Sequence, residues 1–111
     1  MAINYIVAIV RESQVKSIVA KLYEHNVPGV SLSVVKGYGE HISLSKDNLE
    51  ESMRIEVFVA EKYAHQVANI IMHSAHTGME GDGIVAIMPV NEMHMIRDYS
   101  KMSDENLMLT K

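Results

Sequence analysis

Cysteine is absent from this chain of 111 residues. That removes disulfides, thiolate metal sites and thiol catalysis together. Tryptophan is absent too, and aromatics make up only 5%, so a core drawn from the 48% hydrophobic residues has to be aliphatic. No apolar run approaches the roughly 20 residues that span a bilayer. Positive charge is in short supply: ten Lys and Arg against fourteen Asp and Glu give a net charge of −4. Nucleic-acid binders normally show a basic face, so the balance argues against that class. The apolar opening "MAINYIVAIV" has neither a basic leader nor a small-residue cleavage site and does not read as a signal peptide. A cytoplasmic protein is the expectation. What the chain does have is length for one domain and nine Met, suited to filling core gaps or lining contact surfaces.

Periodicity divides the chain cleanly. "INYIVAIVR" (3–11) is short and β-branched, a strand. Residues 13–25 set Val15, Ile18, Val19, Leu22 and Tyr23 on one helical stripe, with Ser13 as N-cap, and "NVPG" (26–29) stops that helix. "VSLSVVK" (30–36) alternates Val30, Leu32 and Val34 against Ser31, Ser33 and Val35. "MRIEVFVA" (53–60) alternates Met53, Ile55, Val57 and Val59 against Arg54, Glu56 and Phe58. Residues 61–76 form a second helix burying Ala64, Val67, Ala68, Ile71 and Ala75. "IVAIMPV" (84–90) is a fourth strand whose Pro89 calls for an edge position or a strand end. Residues 91–100 add a short strand or turn, and the last ten residues read as weakly ordered.

The order is β-α-β-β-α-β, the ferredoxin-like split unit of the α+β class. A four-stranded antiparallel sheet then carries two helices on one face. The other face, partly apolar, stays open, and such a face usually finds a partner, which implies oligomerisation. Two connections stand out. The polar segment 37–52 is longer than strand-to-strand loops need to be, a length typical of functional or disordered loops. At 76–85, "HTGMEGDGIV" puts three glycines between a helix and a strand. They serve as a turn and helix cap, or they let backbone N–H groups close on an anion.

"VVKGYGE" (34–40), "RIEVFV" (54–59) and "TGMEGDG" (77–83), followed by "PV" and "IR" (96–97), resemble the PII signal-transduction family in order and spacing. The likeness runs from about residue 3 to residue 97, and the Thr-Gly-x-x-Gly-Asp-Gly element is its most specific part. The resemblance implies a single domain, 1–111, assembled as a homotrimer with adenine-nucleotide sites (AMP, ADP or ATP) between subunits. Residues 37–52 would be the T-loop that touches a membrane transporter, an enzyme or a regulator, 77–83 the phosphate-facing B-loop, and 98–111 a C-terminal tail. Carried over by position, the nucleotide contacts are Gly29, Val30 and Ser31 near the adenine, Gly37, Tyr38 and Gly39 where the family has Gly-Phe-Gly, Arg54 and Glu56, Gly81, Asp82 and Gly83, and Arg97.

Three cations of the family are missing. Ile84 stands where a Lys follows Gly-Asp-Gly, Met95 where the Arg-x-Arg pair begins, and Ser52 where a Lys precedes the third strand. Each charge-assisted phosphate contact is worth roughly 1.5–3 kcal/mol, so AMP or ADP is expected to be favoured over ATP. His41 stands where a Gln helps magnesium hold 2-oxoglutarate. Imidazole suits Mg²⁺ poorly, which departs from that sensing and leaves Mg²⁺ open. The loop has no Tyr between 39 and 53 for uridylylation, although Ser43, Ser45 and Ser52 are present. Ile42, Leu44 and Leu49 are its large apolar residues, either anchors for the partner or packed on the body.

Two other chemistries compete. His73 and His76 are one helical turn apart, His94 lies in "EMHMIR", and His41 is a candidate metal ligand. A metal-responsive PII-like or CutA-like protein is therefore the alternative. Catalysis has no identifiable triad, and the position of an acylphosphatase cradle reads "VRESQV". Glu50 and Glu51 read as a solvated charge cluster. An enzyme is not expected.

Overall fold

The computed structural model describes residues 2–39, 42 and 49–109. Strands β1 (Ile3–Val10), β2 (Ser31–Gly37), β3 (Glu50–Ala60) and β4 (Gly83–Val90) form one sheet in the order β2-β3-β1-β4, with every neighbouring pair antiparallel. Helices α1 (Val15–Glu24) and α2 (Ala64–Ala75) cover one face. This is the ferredoxin-like arrangement.

Period-2 burial decides which face is which. Ile6, Ala8 and Val10 of β1 and Ile55, Val57 and Val59 of β3 pack against Ile18 and Leu22 of α1 and Ala64, Val67, Ile71 and Ala75 of α2. All five residues expected on the buried face of α2 are buried. Tyr23 is not part of the α1 stripe: it is 84% exposed, because it lies about 140° around the helix from Ile18. Both helices are entered through a 3-10 turn, Glu12–Gln14 and Glu61–Tyr63. The Gln14 N–H donates to the Arg11 carbonyl at 3.0 Å, so a tightened turn replaces a side-chain cap. Ser13 sits inside that turn, and Gln14 holds the cap position of α1 without a side-chain bond, which corrects the expected Ser13 cap.

The β2–β3 hairpin is longer than its polar sequence suggests. Val35 pairs with Ser52, Lys36 with Glu51 and Gly37 with Glu50, so residues 50–52 belong to β3 and not to a loop. Lys36 and Glu51 lie 3.9 Å apart, and Ser52 is buried. Cross-strand pairing carries the ladder past the last apolar residue. Pro89 satisfies both expectations, being the penultimate residue of an edge strand.

The expectation of weak order in the last ten residues is corrected at Asp104–Leu107. A 3-10 turn forms there with a Ser103–Asn106 capping box, and Leu107 is buried. Before it, His94 and Lys101 bridge as a small hairpin. The open sheet face carries Tyr5, Val7 and Ile9, flanked in register by Phe58, Glu56 and Arg54 and by Met88, Ala86 and Ile84. The Tyr5 and Phe58 rings lie 5.0 Å apart. Among the described residues no helix is long and apolar enough to cross a membrane.

Candidate functional site

The residues expected at a nucleotide fall into two groups at opposite ends of β2. At its start, Gly29, Val30, Ser31 and Glu56 line one concavity of about 380 Å³, together with Phe58, Met93 and Leu107. Strand pairing explains the meeting: Ser31 lies directly across from Glu56, and Ser33 across from Arg54. Arg54 Nε donates to Ser33 Oγ at 3.1 Å and lies 3.9 Å from Glu56. The Tyr5 hydroxyl donates to Glu56, and that bond, with burial, raises the Tyr5 pKa. Arg97 lies at this same end, in the turn between His94 and Lys101 that follows β4. Asp98 shapes the turn, accepting from the Ser100 N–H at 3.0 Å and the Ser100 hydroxyl at 2.7 Å.

The second group lies past the other end of β2. Gly37 closes the β2–β3 ladder, Tyr38 is exposed, and Gly39 accepts from the Ile42 N–H at 3.0 Å. The glycine loop, 77–83, runs from the end of α2 into β4. Asp82 organises it from within. Its carboxylate accepts from the Thr77 N–H at 2.8 Å, the Gly78 N–H at 2.9 Å, the Thr77 hydroxyl and Arg11 Nε at 3.3 Å. The Thr77 hydroxyl bond, before the others, holds the Asp82 carboxyl far below the usual carboxylate range. With Asp82 turned inward, the Glu80 and Gly81 N–H groups have no partner among the described residues. Two successive N–H groups without a partner among the described residues, beside a positive φ (+87° at Gly81), make a backbone concavity suited to an anion. A hollow of about 220 Å³ beside them is lined by His76, Asp82, Gly83 and Ile84.

Acid should act on this loop through Asp82. A carboxylate whose pKa is lowered on folding contributes stability above its ordinary value, 3.8, and that contribution is lost as pH falls below it. The thermal-midpoint gap between wild type and D82N is expected to stay constant from neutral pH to about pH 5 and to narrow below that. Melting curves across that range check it. A gap that widens in acid contradicts the role given to Asp82.

Ile42 joins the two loops. Its Cδ1 lies 3.1 Å from where a Gly37 Cβ would sit, and its carbonyl oxygen 3.0 Å from where a Gly81 Cβ would sit. Ile42 is half-buried, while Leu49 is exposed. Leu44, His41, Ser43 and Ser45 lie outside the described residues. Of the other candidate histidines, His73 Nδ1 meets the Asn69 carbonyl at 2.9 Å, His94 meets Glu92 at 3.0 Å, and His76 lies 3.9 Å from Asp82. Among the described residues no group of three or more His, Cys, Asp or Glu is arranged to hold a metal ion.

Sequence reading overlooked Tyr5, Ser33 and Arg11, and it placed Thr77 in the glycine loop without giving it a contact. Only strand register brings Arg11 to Asp82: Val10 pairs with Gly83, so the next residue of one strand faces the preceding residue of the other.

Known proteins share this fold and sequence pattern. The family described as "Nitrogen regulatory protein P-II" matches residues 3–100. The nitrogen regulatory protein P-II of Cyanidium caldarium is 30% identical over 102 residues, covering 85% of this chain and 90% of its own length. Nitrogen regulatory protein GlnK2 of Haloferax mediterranei is 28% identical over 103 residues, covering 86% and 84%. The crystal structure of Arabidopsis thaliana PII bound to citrate superposes with a TM-score of 0.79 at 27% identity, covering 91% of this chain and 89% of that one. With the ferredoxin-like sheet, the Thr-Gly-x-x-Gly-Asp-Gly loop and a match over nearly the whole chain, the protein belongs to the P-II nitrogen regulatory family.

Proposed function

We propose that the protein is a homotrimeric signal transducer that binds an adenine nucleotide between subunits and passes that state to a partner through residues 37–52. The glycine loop carries this reading: its Asp82 braces the turn from within and leaves backbone donors at Glu80 and Gly81 for phosphate. The spacing of the two residue groups supports the intersubunit position. Ser31 and Gly37 are six residues apart on one strand, or about 20 Å. Gly29–Ser31, Glu56 and Arg97 at one end and Gly37–Gly39 and Gly81–Gly83 at the other are then joined around one nucleotide by two copies of the chain. The open apolar sheet face, with Phe58, Ile84 and Met88 exposed, gives such copies a surface to bury.

The protein acts as a regulator and not as an enzyme, in the cytoplasm, on a membrane transporter or an enzyme. AMP and ADP bind at least as well as ATP, because Ile84 and Met95 bring no charge to the terminal phosphates. Calorimetric titration with AMP, ADP and ATP, with the oligomeric state followed by light scattering, tests the reading. Binding of at least one nucleotide to a trimer is expected. Absence of binding by all three overturns it, and a strong preference for ATP overturns the charge argument alone.

A further inference from the structure

The lysine that would follow Gly-Asp-Gly is missing, yet the loop has a cation beneath it. Arg11 is the first residue past β1. Its Nε donates to Asp82 at 3.3 Å, and its Nη2 donates to the Glu80 carbonyl. Nη2 lies 3.2 Å, and the guanidinium carbon 3.6 Å, from the point where a Gly81 Cβ would sit. The guanidinium therefore occupies the side of the loop that a side chain at 81 would crowd. Its side chain is 34% exposed, so an incoming ligand can reach it.

Asp82 does not use up this charge. Its carboxylate is already met by two loop N–H groups and the Thr77 hydroxyl, and Arg11 is the weakest of the influences holding it ionised. A guanidinium carries five N–H donors in a fixed fork. Two of them are engaged by the described residues, which leaves three of the fork's donors for a ligand at its partly exposed side.

We propose that Arg11 is the phosphate-contacting cation of the glycine loop, meeting the terminal phosphates of a bound nucleotide where Ile84 cannot. This rests on the nucleotide reading above. It also makes the loop's brace and its charge the same residue, since the fork that would meet the phosphates ties the end of β1 to the loop. Planar, bidentate contact with phosphate is what Arg does better than Lys.

The test compares wild type, R11Q and R11K by calorimetry with AMP, ADP and ATP. R11Q is expected to weaken ATP binding by about tenfold to a hundredfold and AMP binding far less. R11K should recover part of the ATP loss, since it keeps the charge without the fork. Raised salt should shrink the difference between wild type and R11Q for ATP. A residue that only held the loop in shape would cost AMP and ATP the same factor in both variants, and that result overturns the assignment. If R11Q does not fold, the AMP-to-ATP comparison in R11K decides by the same criterion. Failure of the wild type to bind any nucleotide overturns the nucleotide reading and this assignment together. Wild-type binding with an equal loss for all three nucleotides overturns the assignment alone.

Discussion

Gly83→Ala is expected to lower the thermal midpoint by about 10–20 °C, the largest stability loss of any single glycine replacement in this chain. Gly83 opens β4 with a φ of +119°. A Cβ built there would lie 1.8 Å from the Ile9 carbonyl oxygen, 2.9 Å from its carbon and 3.2 Å from Val10 Cα. These are backbone atoms of the neighbouring strand, so no rotamer change relieves the clash. The Val10–Gly83 pair at the end of the β1–β4 ladder has to open instead. Positive φ in an L-residue costs about 1–3 kcal/mol, and each lost ladder bond about 1 kcal/mol more. The sum is a large share of the 5–15 kcal/mol that holds a typical domain together.

Two other glycines calibrate that expectation. Gly81→Ala has the same positive φ problem, but its nearest atoms are the Ile42 carbonyl at 3.0 Å and the movable end of Arg11 at 3.2 Å. It should destabilise less while disturbing the loop. Gly29→Ala meets nothing within 4 Å and has an ordinary φ, so it should melt like the wild type. Thermal denaturation of the three variants ranks them. A Gly83→Ala midpoint within a few degrees of wild type would show that the β1–β4 end yields more readily than its geometry implies.

The contrast between these glycines shows what a sequence exposes and what it hides. The three loop glycines are visible as a cluster, and their clustering points to a special backbone. Which of them is irreplaceable is set by Ile9, more than seventy residues away in the chain. The same holds elsewhere. The α2 stripe of Val67, Ala68 and Ile71 is legible because helical periodicity is local. The extension of β3 to Glu50 is not, because Glu50, Glu51 and Ser52 are polar and join the ladder only through Gly37, Lys36 and Val35. Asp82 could be read as part of a phosphate loop, yet its carboxylate faces Thr77 and Gly78 within the loop. Arg11 carried no local signal at all. It becomes meaningful only when the β1–β4 register sets it against Asp82.

I84K is the substitution expected to change ligand choice most, shifting it toward ATP. Ile84 follows Gly83 directly, on the open face of the sheet, and is 50% exposed. A lysine there keeps its stem along the apolar face, with Ile9 across the ladder, and extends its ammonium toward the glycine loop. Little stability is at stake, since the isoleucine is not in the core. One added charge-assisted contact is worth roughly 1.5–3 kcal/mol, a gain of about tenfold to a hundredfold for ATP. AMP, which ends at its first phosphate, should gain little. I84M supplies similar bulk without charge and separates packing from electrostatics. Combining I84K with R11Q sharpens the result: if both cations serve the same phosphates, the lysine should restore much of the ATP affinity that R11Q removes, and double-mutant coupling should be clearly non-zero. Calorimetry of the four proteins, wild type, I84K, R11Q and the double variant, reads this directly. An unchanged ATP-to-AMP ratio in I84K would mean that the terminal phosphates do not pass the start of β4, and the charge explanation of nucleotide choice would fall with it.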